Sequence, residues 1–531
     1  MDLAKKIITY SLGVIALLLV LVLVFAGYLV LVPNSDLFGY HYLSSSSAII
    51  DYDEYTDAFA LANYEKIEVE SHGFDIELYP QDEKMDRIMV TFKKGAKGFT
   101  SENIKSISYQ YAYSDVTKTI SIKVIEPKTG FMIYDSSYIK IGIPDTSNEK
   151  EVKVTSAGGT ITFGEETPFG ALEPLTFETT SLTIKNTRAR MILQNFSMNI
   201  AGTLSIENKS GRTDILSDVG DYSGIEKGGD VHIISEIGSF TFGTETVRYD
   251  IGGNLTIDTK NSYVTAGNIG GSVSQVSDSG ALDVLTINED LYINTDDSVT
   301  NVVKVLKGVE INSKYNTIEI GSIGQNISLL YQAVINLTNG NIVIGNAYYD
   351  LDITSTRGNV TVSNAFLDAN IETTYGDINI TYNAITSSIK SGSGSSVVYK
   401  TLNVTTIEGN IVANNIKAVT SLQVDPNSNA SITANFLAIN GNTFVKAGRR
   451  EITVNVPFAE FNYEVKTKTG GVNILAGVTI KSTWLEADKN TELNIFTTGL
   501  IALDGNIATN TDVIIVSSTA GKINFTASIE E

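Results

Sequence analysis

Catalysis needs an acid, a base or a nucleophile held within hydrogen-bond reach of its partner, and few side chains in this sequence have the types and spacing for that. Carboxylates on neighbouring strands can act as the acid and base of glycoside hydrolysis. Asn294-Thr295-Asp296-Asp297 sets two side by side, but the histidine of Ser71-His72-Gly73 lies more than two hundred residues earlier. The chain has three histidines, His41, His72 and His232, and none neighbours another candidate, so neither a nucleophile–base pair nor a metal cluster is expected. Ser387 and Lys390 have a Ser-x-x-Lys spacing, without the accompanying motifs that make it catalytic. Asp51, Asp53, Glu54 and Asp57 could grip a hard cation, yet the glycine-centred spacing of a calcium loop is missing, and a solvated acidic face is the expectation. There is no Gly-x-Ser-x-Gly, phosphate loop or dinucleotide fingerprint. The expected catalytic, cofactor-binding and metal-ligating residues are therefore none, and no enzyme is expected.

Composition restricts partners and compartment. With no cysteine, disulfides, thiolate zinc sites and lipoprotein attachment are excluded, and stability must come from packing and backbone pairing. Lys and Arg total 38 against 60 Asp and Glu. A surface so acidic is repelled by phosphate backbones, so no nucleic-acid partner is expected.

The elements that would position any site begin with an apolar run. From Ile7 to Ser35 no side chain is charged, and Lys5 and Lys6 precede it. About 20 apolar residues in a helix span the hydrocarbon core of a bilayer, and flanking lysines stay on the cytoplasmic side. Residues 1–6 are read as a cytoplasmic N-terminus and 7–32 as a transmembrane anchor in the lipid bilayer. A cleaved signal would have a shorter apolar core. Residues 33–63, with Ser44-Ser45-Ser46-Ser47 and the acidic cluster, are read as a flexible polar stalk.

From Tyr64 the period becomes two, as in Lys66-Ile67-Glu68-Val69-Glu70 and Asp75-Ile76-Glu77-Leu78-Tyr79. Alternation puts every second side chain on one face of a strand. Residues 64–148 are read as a strand-rich module. Over 149–531 a unit recurs: a small polar pair, a turn with glycine or asparagine, then an alternating apolar strand. Examples are Thr155 to Ile161, Ser355 to Val362, Thr373 to Ile380 and Thr519 to Phe525. Gly340, Gly358, Gly376 and Gly394 are each 18 residues apart. A constant short period marks units that bury their apolar face only by stacking on neighbours. Within a unit, glycine supplies the turn conformation, Ile378 and Ile380 point inward, and Asn379 and Thr381 point outward. Segments 435–439 and 451–456 are read as coils lacking the glycine. The expected fold is all-β: an elongated β-solenoid of ~18-residue rungs, in one run or two tandem segments, preceded by one transmembrane helix. Asn359 and Asn379 lie inside the repeat, where stacked asparagines would form side-chain ladders.

This pattern, with the strand Tyr138-Ile139-Lys140-Ile141-Gly142-Ile143-Pro144 leading into it, resembles the bacterial putative-adhesin family of β-solenoid domains, which has no catalytic motif to carry over. The resemblance implies a cell-surface binding scaffold with a glycan or protein ligand. The alternative is an envelope-structural or sensory ectodomain. A third reading is a polysaccharide-active β-helix enzyme, because Asn294-Thr295-Asp296-Asp297 and Ser71-His72-Gly73 are similar to polygalacturonase motifs. In that family, however, the histidine follows the acids.

Overall fold

The computed structural model describes residues 13–22, 36–37, 40–41, 50–51 and 54–528, apart from 61–62, 82–85, 99–105, 127–131, 135–136, 145–149, 165–176, 189, 195, 221–227, 245, 329, 384–386, 392–393, 399, 458–460, 477–483, 488–494 and 502–511. Residues 13–22 are helical, with Val14, Ile15 and Leu17 to Val22 each more than half exposed. Among the described residues no helix is long and apolar enough to cross a membrane, and the rest of the 7–32 run lies outside them. The remaining described elements are almost all strands, forming two compact units, Met1–Ser217 and Asp218–Glu531.

In the first unit the alternation at Lys66–Ser71 buries Ile67 and Val69, and that at Asp75–Gln81 buries Ile76 and Leu78. These two strands make one coil. Glu151–Ser156 pairs parallel with the first, then Phe177–Asn186 and Phe196–Leu216 follow, so Ile67, Val152, Leu182 and Leu204 form one inward column. Leu78, Phe163, Leu193 and Ile215 form another. Each of these side chains is buried, worth about 1.5–3 kcal/mol apiece. On the opposite edge of the first coil, Thr119–Ile125 and Tyr138–Pro144 add parallel partners. Strands 66–81, assigned in sequence to a separate module, are therefore part of the parallel stack. Antiparallel strands Ser108–Ser114 and Arg87–Lys93 cover the outer edge, and Tyr55–Ala60 covers Arg87–Lys93. An uncovered edge would recruit other strands. Residues 55–60, read as the end of the stalk, thus belong to a sheet: Tyr55 and Phe59 have aromatic partners there.

The second unit stacks coils in parallel from Asp230–Phe242 onward, with an 18-residue step from Leu255 to Val273, Leu291 and Val309. Farther along, each coil is two strands, such as Asp350–Arg357 with Val360–Ala365 and Ala369–Tyr375 with Ile378–Tyr382. Ile335, Ile353, Ile371, Val404 and Leu422 lie in one inward column, all fully buried. Ile378 and Ile380 are buried and Asn379 is exposed, as the alternation requires.

Gly340, Gly358 and Gly376 stack on one another, but the fourth member is Gly409, not Gly394. Gly394 opens one arm of an antiparallel hairpin, Ser387–Ser391 with Gly394–Val398, inserted between Ile378–Tyr382 and Thr401–Glu408. Its 18-residue spacing from Gly376 is a coincidence of insertion length. Coils without the signature glycine do form, Ile432–Phe436 pairing with Ile452–Pro457, although the first strand lies three residues earlier than the expected 435–439. The C-terminal coil is out of sequence order. Val513–Ser518 inserts between Asn442–Ala447 and Phe461–Thr467, and Ile523–Ser528 between Ile452–Pro457 and Val472–Ala476.

Candidate functional site

The sequence motifs that hint at catalysis lie on separate elements. His72 is exposed in a turn of the first unit, while Asp296 and Asp297 are exposed on a strand of the second, with Asp296 ion-paired to Lys314 at 2.8 Å. Ser387 and Lys390 lie on the inserted hairpin. Among the described residues no cluster of three or more His, Asp or Glu is placed to hold a metal. In the acidic segment, Glu54 accepts the Tyr138 hydroxyl and Asp57 accepts the Tyr109 hydroxyl. Burial, then the Asp57 hydrogen bond, pushes the Tyr109 phenol far above its ordinary range.

The outward polar rows divide into side chains that hold coils together and side chains left open. One ladder runs Asn415 to Asn383 to Asn364 to Asn346, each amide nitrogen donating to the next amide oxygen at 3.2, 2.7 and 2.9 Å. A second ladder caps backbone. Asn341 Oδ1 accepts the Asn359 N–H, Asn359 Oδ1 accepts that of Asp377, and Asp377 Oδ1 accepts that of Asn410, at 2.7–2.9 Å. Asn359 therefore lies in a ladder as expected, although through the backbone. No ladder partner is seen for the Asn379 side chain among the described residues. Hydrogen bonds repeated at every coil specify register, because a slip of one residue breaks the whole row.

A different row stays open. Strand pairing places Tyr315, Asn339, Arg357, Tyr375 and Glu408 on successive coils at one corner of the second unit. Adjacent strands are ~4.8 Å apart, so Tyr315 and Glu408 are about 19 Å apart along the stack. Tyr315 and Tyr375 are 54% and 45% exposed, too much for side chains whose rings merely fill a core. The Arg357 guanidinium sits 5.7 Å from the Tyr375 ring centroid, a cation–π contact that holds both side chains up from the sheet. Among the described residues no protein hydrogen bond is made by the two tyrosine hydroxyls, the Arg357 guanidinium or the Glu408 carboxylate.

The row ends in an open polar cleft of about 310 Å³ between Glu408–Asn410 and Asn427–Ala430. The cleft exists because the step from Ile411 to Ile432 is 21 residues rather than 18. The extra residues form a turn in which Asp425 Oδ1 accepts the Asn427 N–H at 2.8 Å and Ser428 Oγ accepts the Ala430 N–H at 3.1 Å. Asn410 anchors the floor by accepting the Ser431 N–H at 3.0 Å. Sequence reasoning missed this corner because its members sit 18 to 33 residues apart and follow no single residue type. The usable signal was position: Asn339, Arg357, Tyr375 and Glu408 each immediately precede a stacked turn glycine.

No protein-family model matches the sequence, and no curated protein matches it. The expected resemblance is met among solved structures. They include a putative cell adhesion protein from Clostridium sporogenes, 8% identical, covering 90% of this chain and 100% of its own, with a TM-score of 0.14. A putative adhesin from Parabacteroides distasonis is 9% identical over 72% of this chain and 97% of its own, TM-score 0.15. A putative lipid binding protein from the same organism is 9% identical over 73% and 97%, TM-score 0.14. With such TM-scores these structures carry no weight for what this chain does.

Proposed function

We propose that this chain is a non-enzymatic surface protein, held by residues 7–32 in the cell membrane with its N-terminus cytoplasmic, whose β-solenoid coils serve attachment outside the cell. The observation that carries the reading is the open row at the corner of the second unit. It sets exposed tyrosines and unpaired hydrogen-bonding groups at coil spacing, where contacts add along an extended partner. The uncharged run from Ile7 to Ser35 after Lys5 and Lys6 supports the anchor. The acidic composition supports an extracytoplasmic face that repels nucleic acid.

The test is saturable binding of the full-length protein in mild detergent to an array of glycans and matrix proteins, beside a heat-unfolded sample. Binding by the folded protein alone is expected. Silence across the array would refute attachment and shift the assignment to an envelope-structural or sensory role. Fractionation tests the anchor: the native chain is expected in membranes, and replacing Leu18 and Leu21 by Asp should release it. Release of the native chain by high salt alone would refute an inserted anchor.

A further inference from the structure

We infer that the corner row from Tyr315 to Glu408, with the cleft beside it, is a binding site for an uncharged, hydroxyl-rich polysaccharide lying along the coil stack. The inference rests on the attachment reading and names its ligand class and site. Three observations point to a polysaccharide rather than a protein surface. The row repeats at strand spacing over about 19 Å, which suits a polymer of similar units better than one side-chain anchor. The cleft between Glu408–Asn410 and Asn427–Ala430 has Ala430 as its one apolar side chain, so it lacks an apolar pocket of the kind that supplies binding energy in protein interfaces. Its open groups match a sugar: tyrosine rings offer flat apolar faces for C–H surfaces, while Arg357, Glu408 and the amides of Asn427 and Asn429 offer donors and acceptors for hydroxyls.

Charge selects among polysaccharides. Asp297 is exposed on the strand beside Tyr315, Glu408 closes the row and Glu372 is exposed three residues from Tyr375, so an anionic chain along the row would meet three carboxylates against the Arg357 guanidinium, with Arg449 and Arg450 exposed beyond the cleft, where the Arg449 N–H donates to Ser428 O at 2.9 Å. The ligand is therefore uncharged. Glu408 acts as an acceptor for paired hydroxyls and Arg357 as a donor already oriented by Tyr375.

Affinity electrophoresis of the full-length protein in mild detergent, through gels containing hydroxyethylcellulose, mannan, glycol-substituted neutral chitin or polygalacturonate, tests this directly. At least one uncharged polymer should retard the wild type. Tyr315→Ala and Tyr375→Ala should each weaken that retardation about tenfold, the effect of losing one well-stacked contact. Glu408→Gln, which keeps shape and fold, should weaken it as well, whereas Thr361→Ala and Asn379→Ala on the neighbouring face should not. Retardation that survives both tyrosine substitutions would overturn the site. Retardation by polygalacturonate alone would overturn the charge argument and with it the ligand class. No retardation in any gel, together with array binding to a matrix protein, would overturn this inference and leave attachment standing. Silence in both assays would refute both.

Discussion

Replacing Gly358 by alanine tests the stacking of the second unit most sharply. Gly358 has φ +126°, which side chains bearing a Cβ resist at about 1–2 kcal/mol. A Cβ built there would lie 1.8 Å from the Gly340 carbonyl oxygen, so the two coils would have to separate. Gly340 N–H to Arg357 O ties these two coils and Gly358 N–H to Tyr375 O ties the second to the next, both at 2.9 Å, and displacing Gly358 loosens each at about 1 kcal/mol. Gly358→Ala should therefore cost about 3–4 kcal/mol. At Gly376 the requirement is different in kind: φ is +159°, close to extended, and the obstacle is the Gly358 oxygen, 2.0 Å from where a Cβ would sit. Gly471 is the control, with nothing within 4 Å of its Cβ position and no left-handed φ. Gly471→Ala should be neutral or stabilise by about 0.4–1 kcal/mol through the unfolded chain. Asn379→Ser, on an exposed face, should stay within about 0.5 kcal/mol. Because stacked coils open locally, the assay is peptide-resolved hydrogen exchange on the full-length protein, with thermal melting alongside. Deprotection centred on residues 332–382 is expected for Gly358→Ala only. If Gly358→Ala and Asn379→Ser exchange alike, close glycine stacking does not hold the coils, and the reasoning fails.

Tyr382 is buried and donates to the Thr401 carbonyl at 3.1 Å, and burial, then Asp368 and Asp350, pushes its phenol far above the ordinary range. Because the unfolded phenol ionises near ~10, this stabilisation is full below about pH 10 and falls above it by up to about 1.4 kcal/mol per unit. Tyr382→Phe should cost about 1 kcal/mol at neutral pH yet lose less than the wild type above about pH 10 in urea titrations; parallel pH curves would refute this. Asn364→Ala removes both a donor and an acceptor from the middle of a ladder and should lower the urea midpoint by about 1–3 kcal/mol of stability, against no change for Asn379→Ala. Deleting Asp512 to Glu531 strips the shared partner from 442–457 and 461–476, so hydrogen exchange should rise in both segments and not in 369–380. Deprotection spread evenly over the second unit would contradict the local stacking described for it.

How much of this was legible in sequence depended on whether the physics was local. Alternation at Ile378 and Ile380 declares a buried face without reference to any other strand, and the 18-residue glycine period declares that faces stack. Both readings need only the geometry of one strand and one turn. The hairpin inside the 33-residue step from Gly376 to Gly409 could not be read in advance, because Gly394 keeps the period by insertion length alone. Nor could the C-terminal coil's place between 442–457 and 461–476, since an edge strand accepts any parallel partner with the right inward pattern. The asparagines show the same division. Their abundance was plain, but only the stacking separates Asn364, consumed in a ladder, from Asn427 and Asn429, left open at a cleft. Alternation and period alone dictate that the chain buries its strands in a repeated stack. The tertiary structure decided which coils are neighbours, and so which side chains are left to meet a partner, because hydrogen bonds between coils join residues whose separation in the chain no local pattern records.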